Sequence, residues 1–171
     1  SLNDYMQILG VTFLRIINTV NGKRLLIGSE NNGFYFSDNE GLTLNETSGL
    51  INNYVKRYVM QNGTNHIYAL VNTSPKAIYR STDLGENFEL FLSLDNNILT
   101  QGSLWSDIDY FDIFTPRYFE DQIYLLHGTN FYGIDGSDLV SVSSLPAMLG
   151  FNPNNIALTG GNSVNGTFLY A

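Results

Sequence analysis

The sequence predicts an all-β chain of about four repeated sheet units, each built from short antiparallel strands, and three observations carry that expectation. The first is composition. Only 14% of the 171 residues are charged, against roughly a quarter in ordinary soluble domains. Asn, Ser, Thr and Gly must therefore supply the polar surface, while 11 Tyr and 11 Phe supply much of the apolar one. That mix suits pleated strands joined by tight turns better than helices. The second is a hairpin pattern that recurs four times. The third is a turn sequence that occurs twice, in the same place relative to its hairpin.

The hairpins begin with four short apolar segments, Leu25–Gly28, Ile67–Leu70, Ile123–Leu126 and Ile156–Thr159. Each runs into a polar or Gly-containing turn: Glu30–Gly33, Asn72–Pro75, Gly128–Asn130 and Gly160–Gly166. A second strand rich in aromatics follows, at Phe34–Phe36, Ile78–Arg80, Phe131–Tyr132 and Phe168–Tyr170. Strand, Asn/Gly turn and strand form the hairpin signature. Upstream of them, Val11–Val20, Tyr54–Met60 and Asp107–Phe114 are expected as the first strand of each unit, whereas Leu145–Asn155 makes a poor strand. The units span approximately 11–50, 51–94, 103–144 and 145–171, the last incomplete, and no segment keeps a helical period.

The turn sequences are Ser37-Asp38-Asn39-Glu40-Gly41-Leu42-Thr43-Leu44 and Ser81-Thr82-Asp83-Leu84-Gly85-Glu86-Asn87-Phe88, with Ser81 lying 44 positions after Ser37. That spacing fits one four-stranded unit of a repeat fold. An Asn or Asp side-chain oxygen can accept the following backbone N–H groups, and Gly two residues later can take a backbone conformation that a β-carbon penalises. The final Leu or Phe is expected to pack back under the hairpin. Both sequences resemble the Asp-box, or BNR repeat, Ser-x-Asp-x-Gly-x-Thr-Trp. The first keeps Ser37, Gly41 and Thr43, with Asn39 for Asp and Leu44 for Trp. The second keeps Ser81, Asp83 and Gly85, with Asn87 for Thr and Phe88 for Trp. The resemblance implies β-propeller blades, with each box joining the third and fourth strands at the rim as a structural element remote from any active site. A third copy, Tyr132–Leu139, keeps turn residues without the spacing, and Ala171 falls where a fourth box would begin. The chain is therefore expected to be part of a larger or multi-chain propeller, since propellers close with about four to eight blades.

Composition also restricts function. The net charge is −8 with only eight basic residues, too few and too scattered for the phosphate-neutralising surface that nucleic-acid binding needs. The same deficit argues against docking on anionic lipid, and no apolar run approaches the ~20 residues of a membrane span. The absence of cysteine removes disulfides, thiolate catalysis and Cys-based zinc sites. The chain begins Ser-Leu-Asn, as a processed or partial form would. Its Asn-rich, Lys-poor, Cys-free composition leans toward a microbial or phage source and an extracellular, cell-surface or virion setting.

The candidate chemistry is sparse. Trp105, Asp107 and Asp109 would share one face of an extended strand, and a flat aromatic beside carboxylates suits a sugar ring. Paired carboxylates there, with Asp112, could also serve glycoside hydrolysis at separations of about 5–10 Å. The bland alternative is an inner strand with an acidic edge that discourages aberrant pairing. Arg15, in Phe13-Leu14-Arg15-Ile16-Ile17, resembles the Arg of the Arg-Ile-Pro element of Asp-box sialidases, with Ile17 in place of Pro. Five arginines, at 15, 24, 57, 80 and 117, do not assemble the Arg cluster, Tyr–Glu pair and acid/base of that family. Asp38, Asn39, Ser81 and Asp83 offer oxygen ligands, but a hydrogen-bonded turn explains them, so no metal or cofactor is expected. His66 and His127 occupy similar places around the second strand of their units and lack companion ligands. Several Asn-x-Ser/Thr triplets arise by chance in so Asn-rich a chain.

The expected function is a non-catalytic structural or ligand-presenting propeller module of a larger assembly. Its partners would be other protein chains or further blades of its own, with glycan or protein as ligand. A fragment of a sialidase-like Asp-box glycoside hydrolase is the alternative, and a peptide-binding receptor-type propeller comes third.

Overall fold

A computed structural model describes residues 10–50, 54–61, 63–71, 76–94, 111–115, 123–127, 130–135, 138–144, 159–163 and 166–170. These residues are all-β, with no helix among them. The first sheet is an antiparallel meander of β1 (Val11–Thr19), β2 (Gly22–Ser29), β3 (Phe34–Ser37) and β4 (Asn45–Glu46), paired in chain order. The second repeats that order with β5 (Val55–Met60), β6 (Ile67–Val71), β7 (Ala77–Ser81) and β8 (Glu89–Ser93). The third comprises β9 (Phe111–Phe114), β10 (Ile123–His127), β11 (Asn130–Asp135) and β12 (Asp138–Ser144). A two-stranded hairpin of β13 (Thr159–Ser163) and β14 (Gly166–Tyr170) follows. The described residues form several separate sheets and no closed barrel or closed ring.

The first two sheets match pair by pair. Leu25 opposes Ser37 as Ile67 opposes Ser81, and Ile27 opposes Tyr35 as Ala69 opposes Tyr79. Leu14 opposes Ile27 as Tyr58 opposes Ala69. Even the irregularity recurs: the first strand bulges between Val11 and Phe13 in one sheet and between Val55 and Arg57 in the other. A bulge strengthens local twist, so both sheets twist in the same place.

The sheets stack face to face. Between the first and second lie Phe13, Leu26 and Phe34 on one side and Val55, Tyr58, Ile67, Ala69, Val71, Tyr79 and Phe88 on the other. Between the second and third lie Tyr68, Leu70, Ile78 and Leu92 against Ile113, Ile123, Leu125, Tyr132 and Ile134. Sheet two is thus covered on both faces, which is why β6 is an unbroken apolar run buried at every residue. The first strands are neighbours, β1 against β5 and β5 against β9.

Aromatic packing sets the first interface. Phe34 meets Tyr58 at 5.2 Å and the edge of Phe88 at 5.3 Å between ring centroids, tilted arrangements that aromatic quadrupoles favour. A β-carbon on Gly28 would stand 2.6 Å from the Tyr58 ring, so only glycine lets the ring lie there. The Tyr58 hydroxyl is shared between the carbonyls of Ser29 at 3.1 Å and Gly33 at 3.2 Å. Burial, reinforced by Tyr35, holds its pKa well above the usual phenol value.

The strands differ from the sequence expectation in three places. Gly160–Ser163 belong to a strand instead of a turn, because Ser163 pairs directly with Gly166 and closes the hairpin in two residues. Tyr132–Asp135 and Asp138–Leu139 are paired strand closed by a two-residue connection, so this segment is a plain hairpin. His66 precedes β6 whereas His127 ends β10, placing the two histidines at opposite ends of the second strand. Of the expected strand 107–114, only Phe111–Phe114 falls among the described residues.

Candidate functional site

The two eight-residue turns close β3 onto β4 and β7 onto β8, and they share one hydrogen-bond design. Each begins with a fully buried serine at the end of the third strand, Ser37 and Ser81. The Ser37 hydroxyl donates to Asn39 Oδ1 at 2.9 Å and accepts the Gly41 N–H at 2.9 Å. The Ser81 hydroxyl donates to Asp83 Oδ1 at 2.8 Å and accepts the Gly85 N–H at 2.9 Å. The Asx oxygen then accepts the N–H four residues on, Thr43 to Asn39 and Asn87 to Asp83, both at 2.9 Å. In each turn a left-handed non-glycine residue precedes the glycine: Glu40 at φ 60° and Gly41 at 85°, Leu84 at 61° and Gly85 at 90°.

The outer link of the turn reverses polarity between the copies. Asn39 Nδ2 donates to Thr43 Oγ1 at 2.8 Å. In the second turn Asp83 has no side-chain donor, and Asn87 Nδ2 donates to Asp83 Oδ2 at 2.8 Å. Burial raises the Asp83 pKa, but the hydrogen bonds from Asn87, Ser81 and the Glu86 N–H outweigh it and leave the carboxyl below its usual range.

The second turn also docks on the segment that follows the first. Thr47 Oγ1 donates to the carbonyls of Gly85 at 2.7 Å and Glu86 at 2.9 Å. The Ser48 N–H reaches the Glu86 carbonyl at 3.1 Å, and the Phe88 N–H reaches the Ser48 carbonyl at 2.9 Å. The Ser48 hydroxyl pairs with Asn87 Oδ1. At Gly49, with φ 83°, a β-carbon would lie 1.9 Å from the Phe88 carbonyl oxygen. A β-carbon at Gly85 would stand 2.6 Å from the Phe34 ring. Two backbones thus meet where side chains have no room.

Arg24 ties the same seam electrostatically. Its Nε and Nη2 bind both oxygens of Asp38 at 2.6 and 2.8 Å, and Nη1 binds Glu86 at 2.8 Å. Its guanidinium carbon lies 4.4 Å from the Phe36 ring centroid. The Asp38 hydrogen bond raises the Arg24 pKa above its usual value against the opposing effect of burial. In return, the Arg24 hydrogen bond holds the Asp38 carboxyl below its own. Asp38 belongs to the first turn and Glu86 to the second, so one side chain spans both. Sequence reasoning passed over Arg24, though an arginine between Lys23 and Leu25 in an apolar strand was the available signal.

The structure therefore places Ser37, Asn39, Gly41 and Thr43 in one turn and Ser81 and Asp83 in the other, and of the eight residues Gly85 and Phe88 meet the first sheet at the seam. Phe88 is buried against Phe34, while Leu44 in the matching place is half-buried. Arg15 is not part of the seam; it is exposed on β1, opposite Leu26. Trp105, Asp107 and Asp109 lie outside the described residues. His66 stacks edge-on near Tyr68 at 6.5 Å. Among the described residues no three acidic or histidine side chains gather as a metal site. Buried serines, left-handed glycines and a surface ion pair have the chemistry of a joint between sheets. No protein-family model matches the chain, and no curated protein matches it.

Proposed function

We propose that the chain is a run of β-propeller blades carrying Asp-box turns, and that it works as a non-catalytic structural or ligand-presenting module of a larger extracellular, cell-surface or virion assembly. The single observation that carries this reading is the seam: the turn closing the second sheet is seated, backbone to backbone, on the segment leaving the first. Adjacent first strands support it, since radial blades bring those strands together around an axis. The polar atoms of the turns are spent on one another and on the neighbouring sheet, which leaves them to hold structure rather than to bind substrate.

The test is imaging of the intact particle or parent protein by electron microscopy, with hydrolysis assays alongside. A disc with a central channel supports the reading, and an open sheet stack with no axis sinks it. Turnover of a fluorogenic sialoside or glucan, lost on Asp109→Asn, would favour the glycoside-hydrolase alternative in its place.

A further inference from the structure

We propose that the Asn21-Gly22 pair, at the tip of the β1–β2 hairpin, is a site of spontaneous deamidation in the folded chain, and that the Asn32-Gly33 pair at the next hairpin tip is shielded from it. The residues themselves carry the chemistry. The backbone nitrogen that follows an asparagine can attack the asparagine Cγ, and glycine leaves that approach unhindered because it has no side chain. A nitrogen–Cγ bond forms, the Cγ–Nδ2 bond breaks, and the proton of the attacking nitrogen leaves with the amide as ammonia. Water then opens the succinimide ring at either carbonyl, which leaves aspartate or isoaspartate at that position. Nothing is oxidised or reduced, and water is the only co-reactant.

The chain has four Asn-Gly pairs, and these two are the ones whose residues are both described. At the first tip Val20 is fully exposed, and Asn21 and Gly22 are exposed with it. Thr19 Oγ1 accepts the Asn21 N–H at 3.2 Å and donates to the Gly22 carbonyl at 3.0 Å. The Asn21 side-chain amide has no hydrogen-bond partner among the described residues. Thr19 and Gly22 form the last rung of β1 on β2, and the end of a ladder opens at little cost. A β-carbon on Gly22 would meet no atom within 4 Å, so the extra backbone carbon of isoaspartate has room. The second tip is held. The Asn32 N–H donates to Ser29 Oγ at 3.1 Å. The carbonyl of buried Gly33 accepts the Ser29 N–H at 2.9 Å and the Tyr58 hydroxyl at 3.2 Å. Swinging the Gly33 nitrogen onto Asn32 would break these bonds and unseat Tyr58 from the interface between the first two sheets. Either product at position 21 adds a negative charge beside Lys23, on a chain of net charge −8.

The test is to age the full chain in mildly alkaline buffer at body temperature, once folded and once in urea, and to follow each Asn-Gly pair by peptide mapping with mass spectrometry. In the folded chain the Asn21 peptide should gain about one dalton and yield an isoaspartyl form, about tenfold or more faster than the Asn32 peptide, whose reaction waits for local opening. In urea the two rates should converge. Asn21→Gln should lose the conversion at that tip with an unchanged circular-dichroism spectrum, because a glutamine would have to close a larger, slower ring. Two results would each overturn the proposal. One is Asn21 intact in the folded chain after a period that converts it fully in urea. The other is Asn32 keeping pace with Asn21 in the folded chain.

Discussion

The turn at Ser37–Leu44 and the turn at Ser81–Phe88 have the same backbone path and different side-chain chemistry. One uses a neutral amide that donates to a hydroxyl. The other uses a carboxylate that receives an amide. The comparison teaches that what the two turns share is a pattern of donors and acceptors, satisfiable by Asn with Thr or by Asp with Asn. The turns differ also in surroundings. The second is wedged against Phe34 and the Thr47–Gly49 segment, whereas the first closes a fourth strand only two residues long.

The largest expected effect breaks the comparison through space. Gly85→Ala meets both a left-handed backbone and the Phe34 ring, and should cost about 3 kcal/mol or more in urea unfolding. Gly41→Ala meets the backbone penalty, about 1–2 kcal/mol. Equal losses would mean that the seam relaxes around the added methyl. Next come the buried serines. Ser81→Ala and Ser37→Ala each leave a glycine N–H without its acceptor, a loss of about 1–3 kcal/mol by chemical denaturation, and the comparison requires the two to be similar.

Arg24→Met should follow at about 1–3 kcal/mol, because it removes charge-assisted hydrogen bonds but leaves Asp38 and Glu86 half-exposed and hydrated. Arg24→Lys should recover little of it, since an ammonium cannot grip Asp38 bidentately while reaching Glu86. A full recovery would reduce the contact to simple charge.

The smallest effect is the sharpest. Asn39→Asp should change melting temperature little, because the Thr43 hydroxyl can turn to donate. Asp83→Asn sets two amides face to face and should cost about 1 kcal/mol, near that of a neutral hydrogen bond. The two also separate by pH. The Asp83 carboxyl has a lowered folded pKa, so its contribution is complete above the unfolded value near 3.9 and is lost as pH falls through that value and below. Asp38 titrates in the same direction. Melting temperature between about pH 5 and pH 2 should therefore fall less steeply in Asp83→Asn than in wild type. An unchanged acid limb would remove Asp83 from the account.

Much of the architecture was legible because its causes are local. The consecutive aromatics Phe34-Tyr35-Phe36, the unbroken run Ile67–Val71 and the Ser-x-Asx-x-Gly spacing each act within a few residues. The seam was not legible, because its partners are distant and its signals ambiguous. Gly49 reads as one more loop glycine until Phe88 is set against it. Arg24 reads as an ordinary strand cation until Asp38 and Glu86 converge on it. Nor does the clamp repeat: the register places His66 where Arg24 stands, and Thr82 replaces Asp38, so no internal periodicity could announce it. The left-handed Glu40 and Leu84 carry residues that do not advertise that conformation.

The seam has a consequence for how the chain is made. Thr47 waits for the Gly85 carbonyl, 38 residues further along. At roughly 5–20 residues per second, a ribosome delivers that partner about 2–8 s after Thr47 itself. During that interval the first sheet leaves the exit tunnel with its last segment unanchored and its inner face uncovered. The first sheet is then completed by the second during synthesis, and a chain stalled before Gly85 would leave the first sheet exposed to whatever strand arrives first.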